Sequence, residues 1–139
     1  MHEMHHPHPI LVLVEDDADT EMLVLRILKK IGIRAVVVIR DGQDAIDWFS
    51  HSSARPHLVL LDMKLPRVDG LDVLREIRPM VAAKSAAIVM FSTVGTIETV
   101  TRAMRLGAND FAVKPVDTNR LQNVIHDLVG KHMPTAMVG

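Results

Sequence analysis

Four groups of reactive side chains follow short apolar runs in this 139-residue chain. Glu15, Asp16 and Asp17 come after residues 10–14, Asp62 after 58–61, Ser92 and Thr93 after 87–91, and Lys114 after 111–113. Carboxylates, a hydroxyl and an amine are what a divalent cation and a phosphoryl group need around them. Carboxylates crowded into one place repel and shift each other's pKa values unless a cation sits among them. Donors that are all oxygen suit Mg²⁺, which keeps water and phosphoryl oxygens beside one or two carboxylates. If Glu15, Asp16 and Asp62 converge, a divalent cation site is expected there. Asp62, facing that cation and the Lys114 ammonium, is then equipped to be a nucleophile or a phosphoryl acceptor.

Plainer roles compete for some of these residues. An acid run just before a helix caps its first turn and faces the positive end of its dipole, and Asp17 suits that role. Capping does not account for Asp62, because Met63-Lys64-Leu65-Pro66 does not start a helix. Ser92 taken alone is a turn hydroxyl and Phe111 a core residue. Asp69-Gly70 reads as a turn and helix start, with Gly70 supplying an unusual φ.

The elements that must bring these groups together are legible from periodicity. Residues 10–14, 35–39, 58–61, 87–91 and 111–113 are short, continuous and rich in Val, Ile and Leu, as expected of strands buried on both faces of a parallel sheet. Between and after them, apolar residues recur at three and four, the helical spacing. The stripes are Val24, Ile27, Leu28 and Ile31; Ala45, Trp48 and Phe49; Leu71, Leu74, Ile77 and Val81; Ile97, Val100 and Met104; and Leu121, Val124, Ile125, Leu128 and Val129. Asp117 stands as N-cap of the last helix, and Gly32 and Gly107 close two others in the left-handed conformation. The fold class is α/β, a (βα)5 flavodoxin-like, doubly wound parallel sheet of strand order 2-1-3-4-5. In such a sheet ligands bind beyond the carboxyl ends of the strands at the switch point, here between the first and third strands. Glu15, Asp16 and Asp62 stand at that point.

Composition narrows the function. With 16 Lys+Arg against 17 Asp+Glu and a net charge of -1, the chain lacks the basic surplus of a protein that coats phosphate backbones, so no direct nucleic-acid contact is expected. It has no cysteine, which excludes thiol chemistry, and no apolar run long enough for a membrane span, so the chain reads as cytoplasmic. Residues 1–9, MHEMHHPHP, carry four of the eight histidines without periodicity and read as a disordered His-rich arm. Residues 10–131 form one domain, and 132–139 a flexible tail.

Taken together, ILVLVEDD at 10–17, LVLLDMKLPRVDGLDVL at 58–74, MFST at 90–93 and LGANDFAVKP at 106–115 make the sequence resemble the receiver domain of two-component response regulators, of the stand-alone CheY-like type. The resemblance implies that Asp62 accepts a phosphoryl group from the phosphohistidine of a sensor histidine kinase or phosphotransfer protein, forming an acyl phosphate. It implies that Asp16 binds Mg²⁺ directly, Glu15 through water, and the Met63 backbone carbonyl as a further ligand. Lys114 pairs with Asp62 and then with a phosphoryl oxygen; Ser92 closes on the phosphoryl group and the Phe111 rotamer follows it. The Lys114-Pro115 bond is one the family usually holds cis. The signal leaves by contact with a downstream protein through the fourth helix, fifth strand and fifth helix, the face a homodimer would also use. Arg102 and Arg105 stand on that fourth helix.

Two positions depart from the family's common pattern. Lys64, two residues after Asp62, and Val94, two after Ser92, overlook the acyl phosphate and alter how attacking water is placed. Glu15 replaces the commoner Asp. Rival readings are a receiver fold that works without phosphorylation and a Mg²⁺-dependent aspartyl phosphohydrolase. The second would want an acid at position 64, where Lys64 stands. A flavodoxin is disfavoured because the acids at 15–19 would repel its cofactor phosphate.

Overall fold

The computed structural model describes residues 10–115 and 117–132. Five strands and five helices alternate: β1 Ile10–Val14, α1 Ala18–Ile31, β2 Ala35–Ile39, α2 Gly42–His51, β3 Leu58–Asp62, α3 Gly70–Ile77, β4 Ala87–Ser92, α4 Ile97–Arg105, β5 Asp110–Val113 and α5 Thr118–His132, with a 3-10 turn at Val81–Ala83. All strand pairs are parallel, in the order β2-β1-β3-β4-β5. The arm and tail expected at 1–9 and 132–139 lie outside the described residues, apart from His132.

The inner strands β1, β3 and β4 are buried on both faces, and their side chains alternate between two apolar layers; the edge strand β2 is only half-buried, and β5 ends on an exposed Val113. Leu11, Leu13, Leu58, Leu60, Val89 and Phe91 join Val24, Leu28, Leu121 and Ile125 under α1 and α5. Val12, Val14, Val59, Leu61, Ile88 and Met90 face Phe49, Val73, Leu74 and Ile77 under α2 and α3. A fully buried Leu contributes about 1.5–3 kcal/mol, so these two layers hold the helices against both faces of the sheet. Leu11 pairs with Leu58 and Leu13 with Leu60, which brings the ends of β1 and β3 level. By this alternation Glu15, Asp62 and Lys114 all continue rows that face the α1/α5 layer, whereas Ser92 continues the row of Ile88 and Met90.

The helix ends follow their sequence signals. Asp17 caps α1 through the Thr20 N–H at 2.9 Å, and Gly32 closes it at φ 97°. Gly107 takes φ 107°, and the Asp117 carboxylate accepts from the Arg120 N–H at 3.1 Å.

Three expectations are corrected. Val81 does not continue the α3 stripe: α3 ends at Ile77, because Pro79 cannot donate to the helix and its ring clashes with the turn before it, and Val81 is 64% exposed. Ile97 and Met104 are not core residues of α4; Ala103 is its one buried residue, and Ile97 is 86% exposed. The helix packs on the sheet edge through a small side chain, which leaves its larger apolar residues outside. Gly70 has no positive φ; the left-handed residue of that connection is Arg67, at 67°. Gly70 is needed for space, since a Cβ there would run into the Asp62 carbonyl and lie 2.6 Å from Met63 Cα.

Candidate phosphoacceptor site

The carboxyl ends of β1, β3, β4 and β5 meet in one cleft of about 800 Å³, lined among others by Asp16, Asp62, Lys64, Ser92 and Lys114. Backbone hydrogen bonds beyond the strands fix its rim. The Glu15 N–H donates to the Ile39 carbonyl at 2.9 Å, the Met63 N–H to the Phe91 carbonyl at 2.8 Å, and the Lys114 N–H to the Ser92 carbonyl at 2.7 Å. Asp62 and Ser92 are thus the last residues of their strands, and Glu15 and Lys114 the first past theirs, each still tied to the neighbouring strand. The Lys114-Pro115 bond is cis.

Glu15, Asp16 and Asp62 each bring a carboxylate oxygen within 4.8 Å of the other two. Glu15 is fully buried and Asp62 nearly so, while Asp16 is exposed. This donor set fits a small, hard dication: oxygen ligands only, close enough to share one ion, with the exposed Asp16 on the solvent side. The Met63 carbonyl accepts from the Gly70 N–H at 2.6 Å and keeps a second lone pair for a further partner.

Lys114 reaches into the cluster from β5. Its Nζ lies 2.9 Å from Glu15 Oε1 and 3.2 Å from Asp62 Oδ1. The other Glu15 oxygen, Oε2, accepts from the Asp17 N–H at 3.2 Å. Burial, reinforced by the adjoining Asp62 carboxyl, pushes the Glu15 carboxyl up to about 7, against the pull of Lys114. Burial alone would lower the Lys114 amine; the hydrogen bond and charge of Glu15, with those of Asp62, outweigh it and hold the amine above its ordinary value. The amine thus stays charged between the two acids.

The remaining residues sort by geometry. Asp17 turns its carboxylate to α1, taking the Thr20 N–H and, at 2.6 Å, the Thr20 hydroxyl, which with that N–H lowers its pKa. The hydroxyl of Ser92 is buried and accepts from the Val94 N–H at 2.9 Å. Phe111 is buried in the layer that holds Met90 and Ala103. Lys64 is exposed at the cleft, and its N–H lies 3.4 Å from Asp62 Oδ1. The sequence alone puts Glu15, Asp16, Asp17, Asp62, Ser92 and Lys114 at one edge. It did not reveal that Lys114 takes Glu15 as its nearer partner, since the longer glutamate stem that permits this carries no periodic signal. Nor did it find Arg67, whose positive φ sits in a turn with no glycine to mark it.

Residues 11–126 match the model of the response regulator receiver domain. This chain is a receiver domain. It is 35% identical over 119 residues to the chemotaxis protein CheY of Bacillus subtilis, a match covering 86% of this chain and 95% of CheY. It is 34% identical over 119 residues to the regulatory protein LuxO of Vibrio vulnificus, and there the receiver spans 86% of this chain but only 25% of LuxO. Among solved structures, the receiver domain of sensor histidine kinase PA1611 from Pseudomonas aeruginosa superimposes with a TM-score of 0.76 at 25% identity, over 89% of this chain and 99% of that one. That structure has a magnesium ion coordinated in its active-site cleft. The receiver fold of this chain is therefore the five-stranded, flavodoxin-like one expected from its periodicity.

Proposed function

We propose that this receiver domain takes a phosphoryl group onto Asp62 from a phosphohistidine of a sensor histidine kinase or phosphotransfer protein in the cytoplasm, in a Mg²⁺-dependent step, and passes the change on by protein contact. The observation that carries this is the position of Lys114 Nζ, 2.9 Å from Glu15 and 3.2 Å from Asp62, at a cluster of three carboxylates. In the transfer an Asp62 carboxylate oxygen bonds to phosphorus as the bond from phosphorus to the histidine nitrogen breaks. Little covalent help is needed beyond alignment and neutralisation of the equatorial oxygens. Asp16 and Asp62, with Glu15 and the Met63 carbonyl beside them, would hold Mg²⁺, which when bound would supply part of that charge. Lys114 supplies the rest by turning from Asp62 to a phosphoryl oxygen while keeping Glu15. Ser92 leaves the Val94 N–H to donate to the phosphoryl group, and the space it vacates is open to Phe111 from the same layer.

The acyl phosphate carries nearly two negative charges where the Asp62 carboxylate carried one, a net gain of about one charge at the end of β3 that biases the packing of the β4–α4 connection. The output face is built from α4, β5 and α5, where Ile97, Met104 and Val113 are exposed apolar residues, joined by exposed Val94 in the β4–α4 connection. A downstream protein, or a second copy of the chain, covers apolar area there. Lys64, a cation where an aspartyl phosphohydrolase would want an acid, supports a phosphoacceptor rather than a hydrolase acting on separate substrates.

The test is incubation of the full chain with acetyl phosphate and Mg²⁺, followed by intact mass. A phosphoryl adduct that is lost in Asp62→Asn and on chelation is the expected result. Absence of an adduct, or its persistence in Asp62→Asn, sinks the reading; sustained turnover of phosphomonoesters would favour the hydrolase.

A further inference from the structure

The connection from β3 to α3, residues 63–69, contains a turn that the phosphoacceptor chemistry does not itself explain. Arg67 is the one non-glycine residue with positive φ among the described residues. The Val68 N–H donates to the Pro66 carbonyl at 2.8 Å, so Arg67 is the central residue of a γ-turn, in the strained positive-φ form. Glycine adopts that conformation without a steric penalty. An arginine here calls for a reason in its side chain.

The side chain supplies one. Arg67 Nε lies 2.7 Å from Asp41 Oδ2, and Nη2 lies 2.8 Å from Asp44 Oδ1. Asp41 is fixed in its turn as the N-cap of α2, its Oδ1 accepting from the Gln43 and Asp44 N–H groups at 2.8 and 3.1 Å. Beneath the clamp the two backbones touch. The Gly42 N–H donates to the Pro66 carbonyl at 3.1 Å, and a Cβ on Gly42 would run into the Val68 carbonyl. The guanidinium is half-exposed, and such pairs add little to global stability. Their effect is one of placement. Only residues 63–65 separate the γ-turn from Asp62, and within them lie the Met63 carbonyl and the Lys64 N–H that faces Asp62 Oδ1.

We propose that Arg67 is a positioning residue. By tying the γ-turn to Asp41 and Asp44 at the start of α2, it fixes the β3–α3 connection and so the Met63 and Lys64 backbone beside Asp62. This rests on the reading of Asp62 as a Mg²⁺-dependent phosphoacceptor.

Three variants of the full chain test it: Arg67→Gly removes both clamp and strain, Arg67→Ala removes the clamp and keeps the strain, and Arg67→Lys restores a single contact. The measurements are Mg²⁺ affinity by calorimetry, the dependence of phosphorylation rate on acetyl phosphate concentration, and amide hydrogen exchange at Gly42 and Val68. Arg67→Gly is expected to melt no lower than wild type, yet to bind Mg²⁺ on the order of five-fold more weakly and to lose a similar factor in maximal rate, because alignment is what it lacks. Its Gly42 and Val68 amides exchange faster, Arg67→Ala shares these losses, and Arg67→Lys recovers part of them. Wild-type Mg²⁺ affinity and maximal rate in both Arg67→Gly and Arg67→Ala overturn the proposal. If wild-type protein itself neither binds Mg²⁺ nor gains a phosphoryl group, the reading of Asp62 fails, and the role of Arg67 falls with it.

Discussion

The amine of Lys114 lies closer to Glu15 than to Asp62, at 2.9 Å against 3.2 Å. The lysine is thus anchored by a residue that is not the nucleophile. In the proposed transfer to Asp62, the amine would keep one partner while exchanging the other, with no large excursion needed to follow the new charge. Glu15 in turn has both oxygens engaged, by Lys114 and by the Asp17 N–H.

Removing the lysine leaves two buried carboxyls facing each other. Lys114→Met keeps the apolar stem and is expected to destabilise the fold by about 3 kcal/mol at neutral pH, the range for breaking a buried ion pair from one side. Mg²⁺ restores part of the loss by replacing the missing charge. Urea unfolding with and without Mg²⁺ measures both effects, and an equal stability of variant and wild type without metal contradicts the arrangement.

Asp17 is a cap rather than a ligand. Asp17→Ala should lower the melting temperature by a few degrees, and Asp17→Asn should recover most of that, since an amide oxygen also accepts from the Thr20 N–H. Calorimetry on both variants is expected to return the wild-type Mg²⁺ affinity. A large loss of affinity in Asp17→Asn would instead put its carboxylate in the metal site.

His57 makes the fold sensitive to mild acid. Its Nδ1 accepts from the Ile10 N–H at 3.3 Å, which requires the neutral ring there, and burial holds its pKa below the ordinary 6.5. Below 6.5 the unfolded chain binds the proton that the folded chain resists, so this contribution to stability is full above 6.5 and is lost as pH falls from there toward the folded value. His57→Asn offers an acceptor that does not titrate. The stability of wild type relative to His57→Asn, followed by urea unfolding from pH 7.5 to 5.5, should fall with pH; a constant difference removes His57 from the acid response.

Exposure separates the isoleucines of α4 and α5. Ile97→Ser is expected to change stability by no more than about 0.5 kcal/mol, as for an exposed residue, whereas Ile125→Ala on α5 should cost about 3 kcal/mol through its cavity. Paired chemical denaturation curves decide it. If Ile97→Ser destabilises as much as Ile125→Ala, Ile97 is packed after all and does not belong to an exposed contact surface.

Local chemistry that repeats at a fixed period was readable in the sequence. Runs of Val, Ile and Leu between helical stripes determined five parallel strands, and the residue types just past those runs placed Glu15, Asp16, Asp62, Ser92 and Lys114 at one sheet edge. Caps at Asp17 and Asp117 and left-handed glycines at 32 and 107 were equally local, because each satisfies backbone groups within one turn of itself. What required the tertiary structure were relations between residues distant in the chain. Lys114 and Glu15 are 99 positions apart, and which acid the amine prefers depends on side-chain reach once β1 and β5 are placed on either side of β3 and β4. Gly70 is small because Asp62 and Met63 lie against it, Ile97 is exposed because α4 packs through Ala103, and Arg67 holds a strained turn because α2 presents Asp41 and Asp44 to it. Periodicity reports which face of an element is apolar, but it carries no information about what stands opposite that face.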